Sequence, residues 1–596
     1  MPFARSPQKK SISRFSRNRF ARAADVAAMM RKHTLFTSVL VLSSLTSVAC
    51  GSNNSAGGDD GTGSPPQVVD PGSTVDGGTN TAPDAAVPPG CDTTATPATS
   101  ACVVNETLGV FVAPSTVDGG AAAPDGTRGN PFSKMQDAID SAKAQKKRVY
   151  ACIGSYAEQI TLADGVSIFG DLDCNNSWSV VTAHASLKAP ASPAARADQI
   201  TSPTRVDSLD LIAPDATLPG GSSIALISTG SPGLTIANAT VHAGKGAKGA
   251  DGVQGAQLSN AASAAGQDNS AALLADCLGI VTAACINAHA LAAAGGTNQC
   301  VGGGSKVITA GAGGSGGIGI GDAVVTSTPT FVEFAGQYYM LPGILATDGN
   351  PQPATTQTAG GGTKGNVAAA AGSPGTVGGS GSSGASASTR GSITANGFVP
   401  VDGTSGTDGQ PGQGGGGGSG YDYIRQSSTS YNAGDKIYFT NGAGGGAGGC
   451  PGLAGTSGKG GGASIAIIAS DSPFTLDTCT VESSDGGDGG LGTAGSSSTD
   501  GGGFGADRDA CPNNTFCYVA AKPHNGGTGG RGGESGWSGS GAGGSSIGIA
   551  FHGAQVVLKS TAPTVGNAGH GASATTANGK TIAASVDGVS GLTSSF

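Results

Sequence analysis

Short apolar runs alternate along this chain with long stretches that contain almost no large apolar residue. Val110-Phe111-Val112, Arg148-Val149-Tyr150-Ala151-Cys152-Ile153, Ile160-Thr161-Leu162 and Val166-Ser167-Ile168-Phe169 are such runs, with turn residues such as Asp164-Gly165 between them. Their length and their β-branched and aromatic content predict strands. Val103-Val104 reads as a further strand and Gly154-Ser155-Tyr156-Ala157-Glu158 as a turn. One segment has another period. Between Phe132 and Lys147, the residues Met135, Ala138, Ile139 and Ala142 recur at helical spacing, which predicts an amphipathic helix after Asn130-Pro131. Short strands joined by tight turns are what stacked parallel rungs require.

The strand pattern repeats. Ser223-Ile-Ala-Leu-Ile-Ser-Thr, with Leu234-Thr-Ile and Thr240-Val241, matches Ser464-Ile-Ala-Ile-Ile-Ala-Ser, with Thr475-Leu476 and Thr480-Val481. A third copy runs from Ser546-Ile-Gly-Ile-Ala-Phe551 to Val556-Val557-Leu558. Glycine-rich stretches of very different length separate the copies. Insertions into loops cost little closure entropy, so one stack can carry them all.

The amino end carries a different pattern. Arg31, Lys32 and His33 precede the apolar stretch Leu35–Val48, and Ser47-Val48-Ala49-Cys50-Gly51 follows. That stretch is shorter than the roughly 20 residues a membrane span needs. A basic front, a short apolar run, small residues and a cysteine are the parts of a lipoprotein signal. Residues 1–49 are therefore expected to be a signal peptide, with Met29 or Met30 as an alternative start, and Cys50 the lipid attachment site. A lipobox usually has Leu where Ser47 stands. Residues 50–90 hold Pro65-Pro66, Pro88-Pro89 and five Asp without a basic residue, which predicts a disordered linker. The rest divides into β coils with the helix at 91–243, glycine- and alanine-rich insertions at 244–459, and β coils again at 460–596.

Composition narrows the function. The chain of 596 residues has 107 Gly, 12% charged residues and a formal charge of −9. Removing residues 1–49, which hold nine Lys and Arg and one Asp, takes that charge to −17. Such an acidic surface excludes nucleic acid as a partner and makes acidic polysaccharide a poor one. Twelve Cys in an exported chain imply disulfides, and setting Cys50 aside leaves an odd number.

The segment 130–170 resembles the opening of pectin-lyase-like proteins. Asn130-Pro131-Phe132, Ala138-Ile139, Ala142, Val149-Tyr150, Gly154-Ser155-Tyr156-Ala157-Glu158 and Leu162-Ala163-Asp164-Gly165-Val166-Ser167-Ile168-Phe169-Gly170 carry that resemblance. It implies an all-β fold, a right-handed parallel β-helix with an N-terminal capping helix and Gly-rich loop insertions. The glycine content further resembles bacterial surface lipoproteins of the kind labelled PE-PGRS-like, although no PE domain is recognisable. Cys152 and Cys174 are 22 residues apart, about one β-helix coil. Points one coil apart stack about 4.8 Å from each other, within disulfide reach. Cys91 with Cys102, and Cys511 with Cys517, would close short local loops, and Cys277 or Cys285 is expected to join Cys300.

Catalytic chemistry is thin. Gly569-His570-Gly571 resembles a polygalacturonase motif, but the Asn-Thr-Asp, paired-Asp and Arg-Ile-Lys elements of that family are missing from the folded part. Glycoside cleavage needs two carboxylates. Asp485, Asp488, Asp507 and Asp509 are the candidates for holding calcium, but the repeat-in-toxin spacing is not matched, so no metal or other cofactor is expected. Asp in such turns more often serves backbone amides. Gly246, Gly249, Gly252 and Gly255 keep the three-residue period of collagen and polyproline II. A flexible loop is the preferred reading there, a packed polyproline-II strand the other. Tyr421-Asp422-Tyr423 and Tyr338-Tyr339-Met340 are of a type that stacks on sugar rings, and more commonly of a type that packs on a sheet. The expected function is a non-enzymatic adhesion, matrix or envelope lipoprotein at the outer membrane or cell surface. The alternative is a polysaccharide-binding protein or a pectin-lyase-like lyase or hydrolase.

Overall fold

Three parallel sheets, visited in turn by the chain, form the base of the structure. This computed structural model describes residues 86–114, 123–269, 293–302, 307–317, 371–419, 442–506, 524–577 and 579–596, and the backbone of strands 271–274, 331–334, 337–340, 421–426, 436–440 and 517–518. Sheet one contains, in spatial order, Gly109–Val112, Arg148–Cys152, Ile168–Asp173, Thr204–Asp207, Leu234–Ala237, Thr475–Asp477 and Val557–Lys559. Sheet two runs Gly154–Tyr156, Ala185–Lys188, Leu209–Ala213, Thr240–Ala243, Thr480–Ser483 and Ala562–Val565. Sheet three runs Ile160–Leu162, Ala195–Asp198, Ser223–Thr229, Ser464–Ser470, Ser546–His552 and Ser590–Ser595. Six rungs take one strand from each, and Gly109–Val112 stands alone ahead of the first of them. The sequence repeat is this stacking, since Ser223 pairs with Ser464, and Ser464 with Ser546.

The strands bury an aliphatic interior. Leu226, Ile467 and Ile549 lie in one core cluster with Ile168, Leu187, Val206, Leu211, Ile236, Val241, Leu476 and Val481. Strands Ala185–Lys188 and Ala195–Asp198 alternate buried and open positions because water reaches their outer face. Strand Ser464–Ser470 is buried throughout. Its outer residues Ile465 and Ile468, with Ile224, Ile227 and Ile547, are covered by Ile393 and Phe398 of the hairpin Ser392–Thr394/Gly397–Val399. Two covered faces explain its continuous apolar run.

The helix, α1, spans Met135–Gln145, shorter at both ends than the periodicity predicts. Met135, Ala138, Ile139 and Ala142 are fully buried in the same core as the first rung. Both oxygens of Glu158 accept from the first-turn amides, Met135 N at 2.6 Å and Gln136 N at 3.2 Å. A carboxylate there satisfies free donors and meets the positive end of the helix dipole. Gly154–Tyr156 is a strand of sheet two, not a turn, and Ala101–Val103 is a short 3-10 helix.

One backbone device turns the corner from sheet one to sheet two. Ser208, Asn238, Thr478 and Ser560 each follow a sheet-one strand, and each has φ between 47° and 56°. In these four rungs a single left-handed residue redirects the chain, and only Asn is a residue type that signals it.

Disulfides join Cys91 to Cys102 (Cα–Cα 6.0 Å) and Cys152 to Cys174 (5.3 Å). Cys300 pairs with Cys450, 150 residues away, and not with Cys277 or Cys285, which lie outside the described residues. Among the described residues Cys479 is a free thiol, buried, and its burial pushes its pKa up. Cys50 and the signal and linker segments also lie outside the described residues.

Candidate functional site

The corner between sheets two and three is where the chain departs from the repeat. It is short at 214–222, then expands to 244–463, 484–545 and 566–589. These excursions carry most of the glycine, and their described segments are hydrogen-bonded to one another.

Their backbone bonds run between segments with a strict period of three. Gly246, Gly249 and Gly252 donate to the carbonyls of Asp485, Asp488 and Leu491 at 2.8–2.9 Å, so these two segments run parallel. Gly462, Lys459 and Thr456 donate to Ala247, Ala250 and Val253, so the returning segment runs antiparallel. Segment 402–419 shows the rule most fully. Gly409, Gly412 and Gly415 donate to Gly452, Gly449 and Gly446, whereas Gln410, Gln413 and Gly416 donate to Gly379, Thr376 and Ser373. Successive rows of one segment therefore serve different neighbours. Three residues per turn without internal hydrogen bonds is the geometry of polyproline II. Segments 244–256, 371–388, 402–419, 442–462, 484–506 and 524–545 together make a bundle of such extended helices.

Glycine is what permits this spacing. A Cβ on Gly412 would sit 2.1 Å from the Gly530 carbonyl oxygen, and one on Gly449 2.2 Å from that of Thr499. Backbones this close leave no room for a methyl group in the buried rows. Hydrophobic contact is correspondingly small. The disulfide Cys300–Cys450 lies in a cluster with Leu258, Ala310 and Leu453 and staples one part of the bundle.

Side chains finish the lattice where a carbonyl is not in place. Asp485 Oδ1 accepts from Asn567 N at 2.9 Å and Asp488 Oδ1 from His570 N at 2.8 Å. Asp251 Oδ1 takes Leu491 N at 2.8 Å, Asp402 Oδ1 takes Gly460 N at 2.8 Å, and Gln413 Oε1 takes Thr376 N at 2.8 Å. The amide bond from Asn567, then the ion pair with Lys245, hold the Asp485 carboxyl below its ordinary value. The two described calcium candidates are thus committed to neighbouring backbone, while Asp507 and Asp509 lie outside the described residues. Among the described residues no group of three His, Cys, Asp or Glu could hold a metal ion.

Segments 402–419, 442–462, 484–506 and 524–545 meet at one end of the bundle, together with residues 267–269. There, Gly418 N meets Ala443 O, Gly444 N meets Gln267 O, Gly526 N meets Gly505 O and Asn269 N meets Ala506 O. Beyond it stands a four-stranded antiparallel sheet in the order Ala271–Leu274, Lys436–Thr440, Tyr421–Gln426, Cys517–Tyr518. Each strand lies between two bundle ends or beside one. The sheet takes in Tyr421-Asp422-Tyr423 and the backbone of Cys517, whereas Cys511 lies outside the described residues. Tyr338-Tyr339-Met340 belongs to a separate two-stranded hairpin with Phe331–Phe334.

Catalytic constellations do not assemble among the described residues. His570 is exposed, 3.7 Å from Asp587. Asp207 is bound by Arg205 Nε at 2.7 Å and Asn238 Nδ2 at 2.8 Å, so both its oxygens are occupied. Asp171 is only 7% exposed, and its Oδ1 has no hydrogen-bond partner. Burial, reinforced by the Asp207 charge, pushes its pKa up. It is too enclosed to meet a polymer. Comparison with protein-family models, curated proteins and solved structures finds no match for this chain.

Sequence reasoning undervalued the glycine period and misplaced the partner of Cys300. The signal for the bundle was present. Glycines recur every third residue at 372–384 and 403–418 as well as at 246–255. The partner of Cys300 had no local signal.

Proposed function

We propose that this chain is a surface lipoprotein, exported and anchored through lipid on Cys50, that works without catalysis as an adhesion, matrix or envelope protein. In this reading the three-sheet base is a right-handed parallel β-helix of the pectin-lyase-like kind. The glycine-rich excursions make it a relative of the PE-PGRS-like labelled surface proteins. One observation carries the reading. Every long excursion leaves and re-enters the stack at the same corner, and the excursions hydrogen-bond into one bundle ending in one sheet. A fold that gathers hundreds of residues into excursions from one corner of a β stack is suited to presentation.

The anchor is tested by metabolic labelling with a fatty-acid analogue. Cys50→Ser should abolish the label and release the protein from membranes. Adhesion of cells lacking the protein to glass and to other cells tests the role. Unchanged adhesion, together with no surface labelling of the native protein by an impermeant reagent, would refute it.

A further inference from the structure

We draw no further inference here: the strongest candidate, the apolar patch at the open end of the three-sheet stack, where Val557–Lys559, Ala562–Val565 and Ser590–Ser595 stand last in their sheets and Leu558 and Leu592 are 39% and 53% exposed, carries nothing because nothing in the structure shows what covers it.

Discussion

Two adjacent glycines on segment 371–388 test the bundle directly. At Gly378 an added Cβ would lie 2.1 Å from the Gln410 carbonyl oxygen, whereas at Gly379 the nearest atom is Gln410 Cγ at 3.5 Å. Both positions lie outside the positive-φ region, so alanine is acceptable to the backbone itself at either. At Gly378 the methyl must retreat to ordinary contact near 3.4 Å, a displacement of more than 1 Å from 2.1 Å. Two bonds flank the site, Gly378 N to Arg531 O at 2.9 Å and Gly533 N to Gln410 O at 2.8 Å. A shift of that size takes either beyond hydrogen-bonding distance. Losing one or two such bonds in a water-poor lattice costs about 2–4 kcal/mol. Gly379→Ala should instead be neutral or gain about 0.4–1 kcal/mol from a stiffer unfolded chain. Urea unfolding of both variants measures the difference. Hydrogen exchange should place the loss of protection in segments 371–388, 402–419 and 524–545. Equal midpoints, or faster exchange confined to the three-sheet base, would refute the packed lattice and restore the flexible-loop reading.

Three further outcomes follow from particular side chains. Asp171→Asn should raise stability at neutral pH by about 1–3 kcal/mol, because a buried carboxylate whose Oδ1 has no hydrogen-bond partner is replaced by a neutral group. Its folded pKa is raised, so the cost is absent where the carboxyl is protonated in both states and sets in as pH rises past about 4; the advantage of Asn should grow from pH 3 to pH 7 in thermal melts. Reducing the Cys300–Cys450 link with Cys450→Ser should cost the bundle about 2–5 kcal/mol, read as lost exchange protection near Leu258 and Leu453, while the three-sheet base keeps its own. Asp485→Ala should speed exchange of the Asn567 amide, and neither this variant nor the native protein should melt higher with added calcium; a calcium-dependent rise in the native protein would contradict the structural role of that carboxylate.

The base was legible because its information is local and repeated. Ser223-Ile-Ala-Leu-Ile-Ser-Thr could be aligned with Ser464 and Ser546 by eye, and the register pairs those residues. Met135, Ala138, Ile139 and Ala142 carried a period that only a helix satisfies. Cys152 and Cys174 could be joined because a coil length and a stacking distance fix their separation. The bundle was harder because glycine has no side chain from which to read a buried face. Each segment is held wholly by distant partners, as Gly246 is by Asp485, so no window of sequence contains both halves of a bond. For the same reason Cys450 could not be named as the partner of Cys300 before the segments around them were placed. Asp485 and Asp488 read chiefly as carboxylates serving backbone amides, with calcium the lesser alternative, but which amides could not be named. Their true partners, Asn567 N and His570 N, lie in the next excursion.

The direction of the bundle's bonds decides how it answers to force. Its segments run lengthwise between the stack and the terminal sheet, and the amide-to-carbonyl contacts of Gly409, Gly412 and Gly415 lie across that axis. One segment can therefore slide past its neighbour only when a whole row gives way, where a peeling geometry would open the bonds singly. Segments 402–419 and 442–462 also run in opposite senses and share such a row, so tension in one is passed to the other along its length. Segments made largely of the residue with the smallest side chain are in this way held against sliding along one another.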